Sequence, residues 1–152
     1  MTVVQDRTKR IIEEHVAPFL KQHAFKKAGK TFFKFSEPHW LIINFQSSMW
    51  NFATSGQFTI NVARHDIRYD PVQTDKPPKF HACKPYNAVR VGQLMDGKDK
   101  WWTVDEQTDT TVVGQELVQI LKEKVLPCFE QWGKLENVGW NPSIPKTEFI
   151  AS

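Results

Sequence analysis

The run HWLIINFQ, His39–Gln46, decides the fold. Read as a β-strand, its successive side chains point to opposite faces of a sheet. Leu41, Ile43 and Phe45 then share one face, and Trp40, Ile42, Asn44 and Gln46 share the other. The next periodic run, GQFTINVARH (Gly56–His65), sorts the same way, with Phe58, Ile60 and Val62 against Gln57, Thr59, Asn61 and Ala63. The first set in each strand is wholly apolar, so it requires a cover, and a register slip of one residue would expose all of it. The second set mixes amides and hydroxyls with apolar residues.

Outward from this pair the period of two continues in KTFFKF (Lys30–Phe35), in a run near NAVRVGQL (Asn87–Leu94) and in KWWTV (Lys100–Val104). These make about five strands, mainly antiparallel. MDGKDK supplies a hairpin turn between the last two through Asp96 and Gly97. Alternation gives the paired tryptophans opposite roles: Trp102 joins Val104 on the core face, and Trp101 joins Asn44, Gln46, Thr59 and Asn61. The proline-rich YDPVQTDKPPKF (Tyr69–Phe80) reads as a long loop.

At either end the period changes to that of a helix. Val4, Thr8, Ile11, Ile12, His15, Val16, Phe19 and Leu20 form one stripe, predicting a helix from about Val3 to Gln22. Val113, Leu117, Ile120, Leu121, Val125, Cys128 and Phe129 form another, predicting a helix from about Val112 to Trp132. Each contains a proline that cannot donate a helical hydrogen bond, so Pro18 is expected to kink its helix or to start a second turn. The endings EHVAPFLKQ and EKVLPCFEQ share Glu, Val, Pro and Gln, which two helices meeting a similar docking problem would explain. The order helix, antiparallel meander, helix is α+β, with both helices packed on one face of the sheet. Residues 1–152 are expected to form a single globular domain ending in an irregular tail over residues 133–152.

The 152 residues suffice for one core without disulfide or metal. A 40% hydrophobic and 24% charged composition without long like-charge blocks excludes a disordered chain. The amino-terminal segment lacks the apolar run of a signal peptide, and no stretch approaches a membrane span, so a cytoplasmic location is expected and no membrane partner. Cys83 and Cys128, far apart, fit reduced thiols.

The segments EEHVAPFLKQHAFKKAGKTFFKF, INFQSS, FTINV and KDKWWTV together resemble a bacterial family of small proteins catalogued only as domain of unknown function 4304, over roughly Ile11 to Phe129. The resemblance implies one domain and brings no activity, cofactor or catalytic residue.

Three function classes follow. The leading one is a non-enzymatic binding module that recognises a protein partner, of the immunity type for instance, or a small ligand. Trp101, Asn44, Gln46, Thr59, Asn61 and Trp40 are its candidate residues, because amides read hydrogen-bond patterns and an indole adds stacking area. Folding of the tail over this face, through Trp140, Ile144, Phe149 and Ile150, is the competing explanation of its polarity. The second class is a small hydrolase or transferase using Cys83 with His81, or the acidic cluster Asp105, Glu106 and Asp109, although carboxylates before a helix usually act as caps. The third is weak nucleic-acid binding through Lys26, Lys27, Lys30 and Lys34; at a net charge of +3, nucleic acid is not the expected partner. No cofactor is expected, and no metal, since His81 and Cys83 fall short of the ligands a zinc site needs. Oligomeric state is not legible.

Overall fold

A computed structural model describes residues 2–48, 52, 54–68, 77–79 and 88–136. The expected tail contacts, His81 and Cys83, and most of the proline-rich loop lie outside the described residues.

The amino-terminal helical stretch runs through α1 (Val3–Ile11), a π turn (Ile12–Val16) and α2 (Ala17–Gln22). Thr2 starts it with a capping box, accepting from the Gln5 N–H while its own N–H donates to Gln5 Oε1. The π turn sits where Pro18 demands it. A regular helix would drive the proline ring into the carbonyl four residues back, whereas here the Ala17 N–H reaches one residue further, to Ile12 O, and the coil widens. The expected kink is thus a one-turn widening. The carboxy-terminal stretch repeats the solution in α4 (Thr110–Ile120), a π turn (Leu121–Val125) and α5 (Leu126–Glu136), where Leu126 N–H donates to Leu121 O ahead of Pro127. The shared Glu-x-Val-x-Pro pattern is therefore the signature of a widened turn, and its valines, Val16 and Val125, are both fully buried. α5 continues past Trp132 to Glu136, since a helical glycine at 133 costs only about 1 kcal/mol.

Between the helices lie β1 (Lys26–Ala28), β2 (Thr31–Ser36), β3 (His39–Ser47), β4 (Ser55–Asp66), β5 (Ala88–Arg90) and β6 (Trp102–Asp105), all antiparallel to their neighbours. β1 to β5 stand side by side in chain order, and β6 also pairs with β4. The expected α+β architecture is what the chain forms. One connection differs from expectation. Asp96 and Gly97 do make a turn, with Gly97 at φ 84° and its N–H on Gly92 O. The flanking strands do not pair with each other, however. β5 pairs with Asn61–Ala63 and β6 with Ser55–Phe58, end to end along one edge of β4, and Val91–Leu94 between them is a short helix, α3. Twelve residues make β4 long enough to serve both.

The faces sort as alternation requires. Ile43, Phe45, Phe58, Ile60, Val62, Trp102 and Val104 join the helical residues Ile11, Ile12, Leu20, Leu117, Leu121 and Trp132 in one buried core. Trp102 stacks on Phe58 at 5.7 Å between ring centroids. Both helical stretches therefore cover the same sheet face. They also pack closely on each other, because a Cβ built on Gly114 would lie 2.3 Å from the His15 ring and 2.7 Å from its Cβ.

That approach gives the first prediction. Alanine at a helical glycine ordinarily gains about 1 kcal/mol, but Gly114→Ala must push His15 and its helix away, so urea melts should show a net loss of about 1–3 kcal/mol. A stabilised variant would mean that the two helices are not in contact there.

Candidate ligand-binding face

The second face of the sheet changes character along the strands. At one end the rows read Phe35, Trp40, His65 and then Phe33, Ile42, Ala63, Ala88; next come Thr31, Asn44, Asn61, Arg90, and finally Gln46 with Thr59. The apolar end forms a small second core, in which Trp40, Ile42 and Ala63 are buried with Phe33, Phe35 and Ile67 against them. Register alone makes this grading, since β3 and β4 pair apolar with apolar and amide with amide.

The polar rows are joined by hydrogen bonds across the strands. Asn44 Nδ2 donates to Thr31 Oγ1 at 2.9 Å. Asn61, 4% exposed, donates through Nδ2 to Gln46 Oε1 at 2.8 Å and to Asn44 Oδ1 at 3.3 Å. Its Oδ1 accepts from Arg90 Nε at 3.4 Å. Arg90 then donates through Nη1 to Asp99 Oδ2 at 2.9 Å, the same oxygen that accepts from the Trp101 indole at 2.9 Å. The Arg90 guanidinium also lies over the Trp101 ring, 5.2 Å from its centroid. A single chain of contacts thus runs from β2 to the loop before β6.

The six candidate residues take different places in this arrangement. Asn44, Gln46 and Asn61 come together and line an open groove of about 740 Å³, with Phe33 in its floor and Pro77, Pro78 and Lys79 along its side. Trp101 joins the same network through Asp99, half-buried, with one ring face covered by Arg90. Thr59 is fully buried and donates its hydroxyl to Lys100 O at 2.6 Å, which pins the segment that carries Trp101. Trp40 lies in the apolar end, 4% exposed, and its indole N–H has no acceptor among the described residues. Sequence reasoning missed Thr31, Arg90 and Asp99. Alternation with Phe32 and Val89 places the first two on this face, but nothing local marks the reach of Asp99.

Asp105 and Asp109 of the acidic cluster are occupied with local structure. Asp109 Oδ1 accepts from the Thr111 and Val112 amides and caps α4. Asp105 Oδ1 accepts from the Gln107 amide and the Thr108 hydroxyl. Among the described residues no three His, Cys, Asp or Glu side chains are grouped as a metal ion would need. Cys128 is buried. No described helix is long and apolar enough to cross a membrane.

The fold and this face define an α+β protein with a helix-covered core on one side of its sheet and a polar groove on the other. The chain belongs to the family described as domain of unknown function DUF4304, whose model matches residues 16–131. No curated protein and no solved structure matches the chain.

Asp99 offers a direct reading of the network. Burial pushes its carboxyl up, but the hydrogen bonds from Trp101 and Arg90 and the Arg90 charge outweigh this and hold it below the usual carboxylate range. Its contribution to stability is therefore complete above that range and is lost as pH falls through the lowered value. The Trp101 indole N–H resonance should titrate at this lowered midpoint, and Arg90→Ala should move the midpoint up. A wild-type midpoint at or above the ordinary carboxylate value would contradict the network.

Proposed function

We propose that this protein is a non-enzymatic binding module whose second sheet face holds a partner rich in hydrogen-bond acceptors. The observation that carries this reading is the hydrogen-bonded row through Asn44, Asn61 and Arg90, which among the described residues borders an open groove. Within that row Asn61 has committed both of its amide hydrogens and its carbonyl. Among the described residues donors remain at its edges: the Gln46 amide group, the second Asn44 N–H and the outer Arg90 nitrogen. Carbonyl or carboxylate oxygens complement such a surface, and an extended protein segment supplies them at regular spacing along a strand-lined groove. The half-buried Phe33 ring beneath gives an apolar side chain a place to rest. A protein partner, including one of the immunity type, fits this chemistry, and a carboxylate-bearing small ligand fits it too.

Gln46 is exposed and its amide hydrogens have no acceptor among the described residues, so its loss should affect binding without affecting the fold. Native mass spectrometry of protein purified gently from its own source should show a retained partner or ligand in stoichiometric amount. Gln46→Ala should lose it while melting as the wild type does. Wild-type protein that retains nothing, or a variant that retains the same species undiminished, would refute the reading.

A further inference from the structure

The helix-covered face is open at one corner, between the first helical stretch, the β1–β2 turn and the end of β3. Cross-strand pairing puts Lys27 in the row of Phe32, Ile43 and Val62, and Ser47 in the row of Phe58, so both project from the face that carries the core. Among the described residues a cavity of about 580 Å³ remains at this corner. That volume suits a small molecule, for which sites of roughly 300–1,000 Å³ are usual.

Part of its wall is apolar. Val4 from α1 and Ile12 from the first π turn line it and are buried, and Phe52, between β3 and β4, lines it with its side chain 73% exposed. Thr8 stands on the same helical stripe as Val4 and Ile12, one turn from each. It is 6% exposed and lines the cavity, and its hydroxyl has no hydrogen-bond partner among the described residues. A polar group withdrawn from water and left unpaired is costly, and a ligand oxygen that accepts from it removes that cost.

The rest of the lining is charged, and mostly of one sign. Lys9 from α1, Lys27 from β1 and Lys30 from the turn are set against a single carboxylate, Glu13. Gly29, at φ 63°, makes the tight turn that brings Lys30 beside β3, where its Nζ donates to Ser47 Oγ at 2.8 Å. The hydroxyl is a neutral partner and leaves the charge of Lys30 in place. Lys9, Lys27 and Glu13 have neither an ion pair nor a hydrogen bond through their side chains among the described residues. The lining therefore carries a surplus of positive charge next to an apolar wall.

We propose that this cavity binds a carboxylate with an apolar body. The body rests on Val4, Ile12 and Phe52, and the carboxylate answers the positive surplus and the Thr8 hydroxyl. The lysines are exposed and hydrated, so each adds only a modest attraction and the apolar contact supplies most of the binding. A phosphate dianion gives up more hydration than a carboxylate on entering such a site, and the described lining holds no arginine fork to repay it. The site lies on the opposite side of the sheet from the polar groove and stands whether or not that groove binds a partner.

Octanoate is the probe, titrated calorimetrically into the full chain at physiological salt, with acetate and with octylamine, a cation at neutral pH, for comparison. One octanoate should bind per chain, about tenfold or more tighter than either. Lys9→Gln and Lys27→Gln should each weaken it about threefold, and Glu13→Gln should tighten it by a similar factor, in keeping with the modest worth of an exposed charge. All three side chains are exposed, so these variants should melt as the wild type does. Thr8→Val keeps the side-chain shape, removes the hydroxyl and should weaken octanoate. Lys122→Gln, on the second π turn, should leave binding unchanged. No saturable binding at millimolar octanoate, equal affinity for octylamine, or a Glu13→Gln variant that binds more weakly would each overturn the assignment.

Discussion

The ladder between β3 and β4 pairs residues from His39 and Asp66 to Ser47 and Phe58, and the rest of the molecule depends on its register. Its central pairs put like beside like: Ile43 meets Val62, Phe45 meets Ile60, Asn44 meets Asn61. One face consequently gains a continuous apolar surface large enough to dock both helical stretches. The other gains an amide row that no apolar element can cover without cost, because amides buried without partners are expensive. A one-residue slip would exchange the two faces and leave Ile43 and Val62 in the groove. Core and candidate site are thus two consequences of a single alignment.

The helices answer a second constraint. Each must carry a proline in its interior and still keep its apolar stripe on the sheet. A π turn resolves this by giving up one hydrogen-bond register for one widened turn, and it lets Val16 and Val125 point inward just ahead of Pro18 and Pro127. The second of these turns also carries Lys122 to an open cavity that Lys34 and Arg64 line as well. Packing against His15 leaves room only for glycine at position 114, so the spacing of the two helical stretches is set by a contact and not by their loops.

What could be read from the sequence follows the range of the forces involved. Alternation in LIINF and FTINV is local and dominated by burial, so the faces, the opposite roles of Trp101 and Trp102 and the α+β order were legible. The turn at Asp96 and Gly97 was legible as a turn, but its strands' partner was not, because that choice depends on the length of β4 and on α3. The candidate site was legible in part. Asn44, Gln46 and Asn61 were placed by parity, while Thr59 and Trp40 share that parity and yet are buried, since depth along a face depends on what packs over it. Arg90 and Asp99 reach the network across the sheet, and the meeting of Lys9 with Lys27 and Lys30 at one cavity joins a helix to a hairpin. Neither leaves a mark in local sequence.

The central claim is that alternation divides the paired tryptophans between a packed core and an open polar face. Urea denaturation of Trp101→Ala and Trp102→Ala tests it without knowledge of any ligand. Trp102 is 5% exposed and stacked on Phe58, so its truncation should cost about 3–5 kcal/mol. Trp101 contributes one hydrogen bond and one cation–π contact at a half-buried position, and its truncation should cost about 1–2 kcal/mol. Equal losses would mean that both faces are packed and the groove is not a site, and a larger loss at Trp101 would mean that the register is inverted.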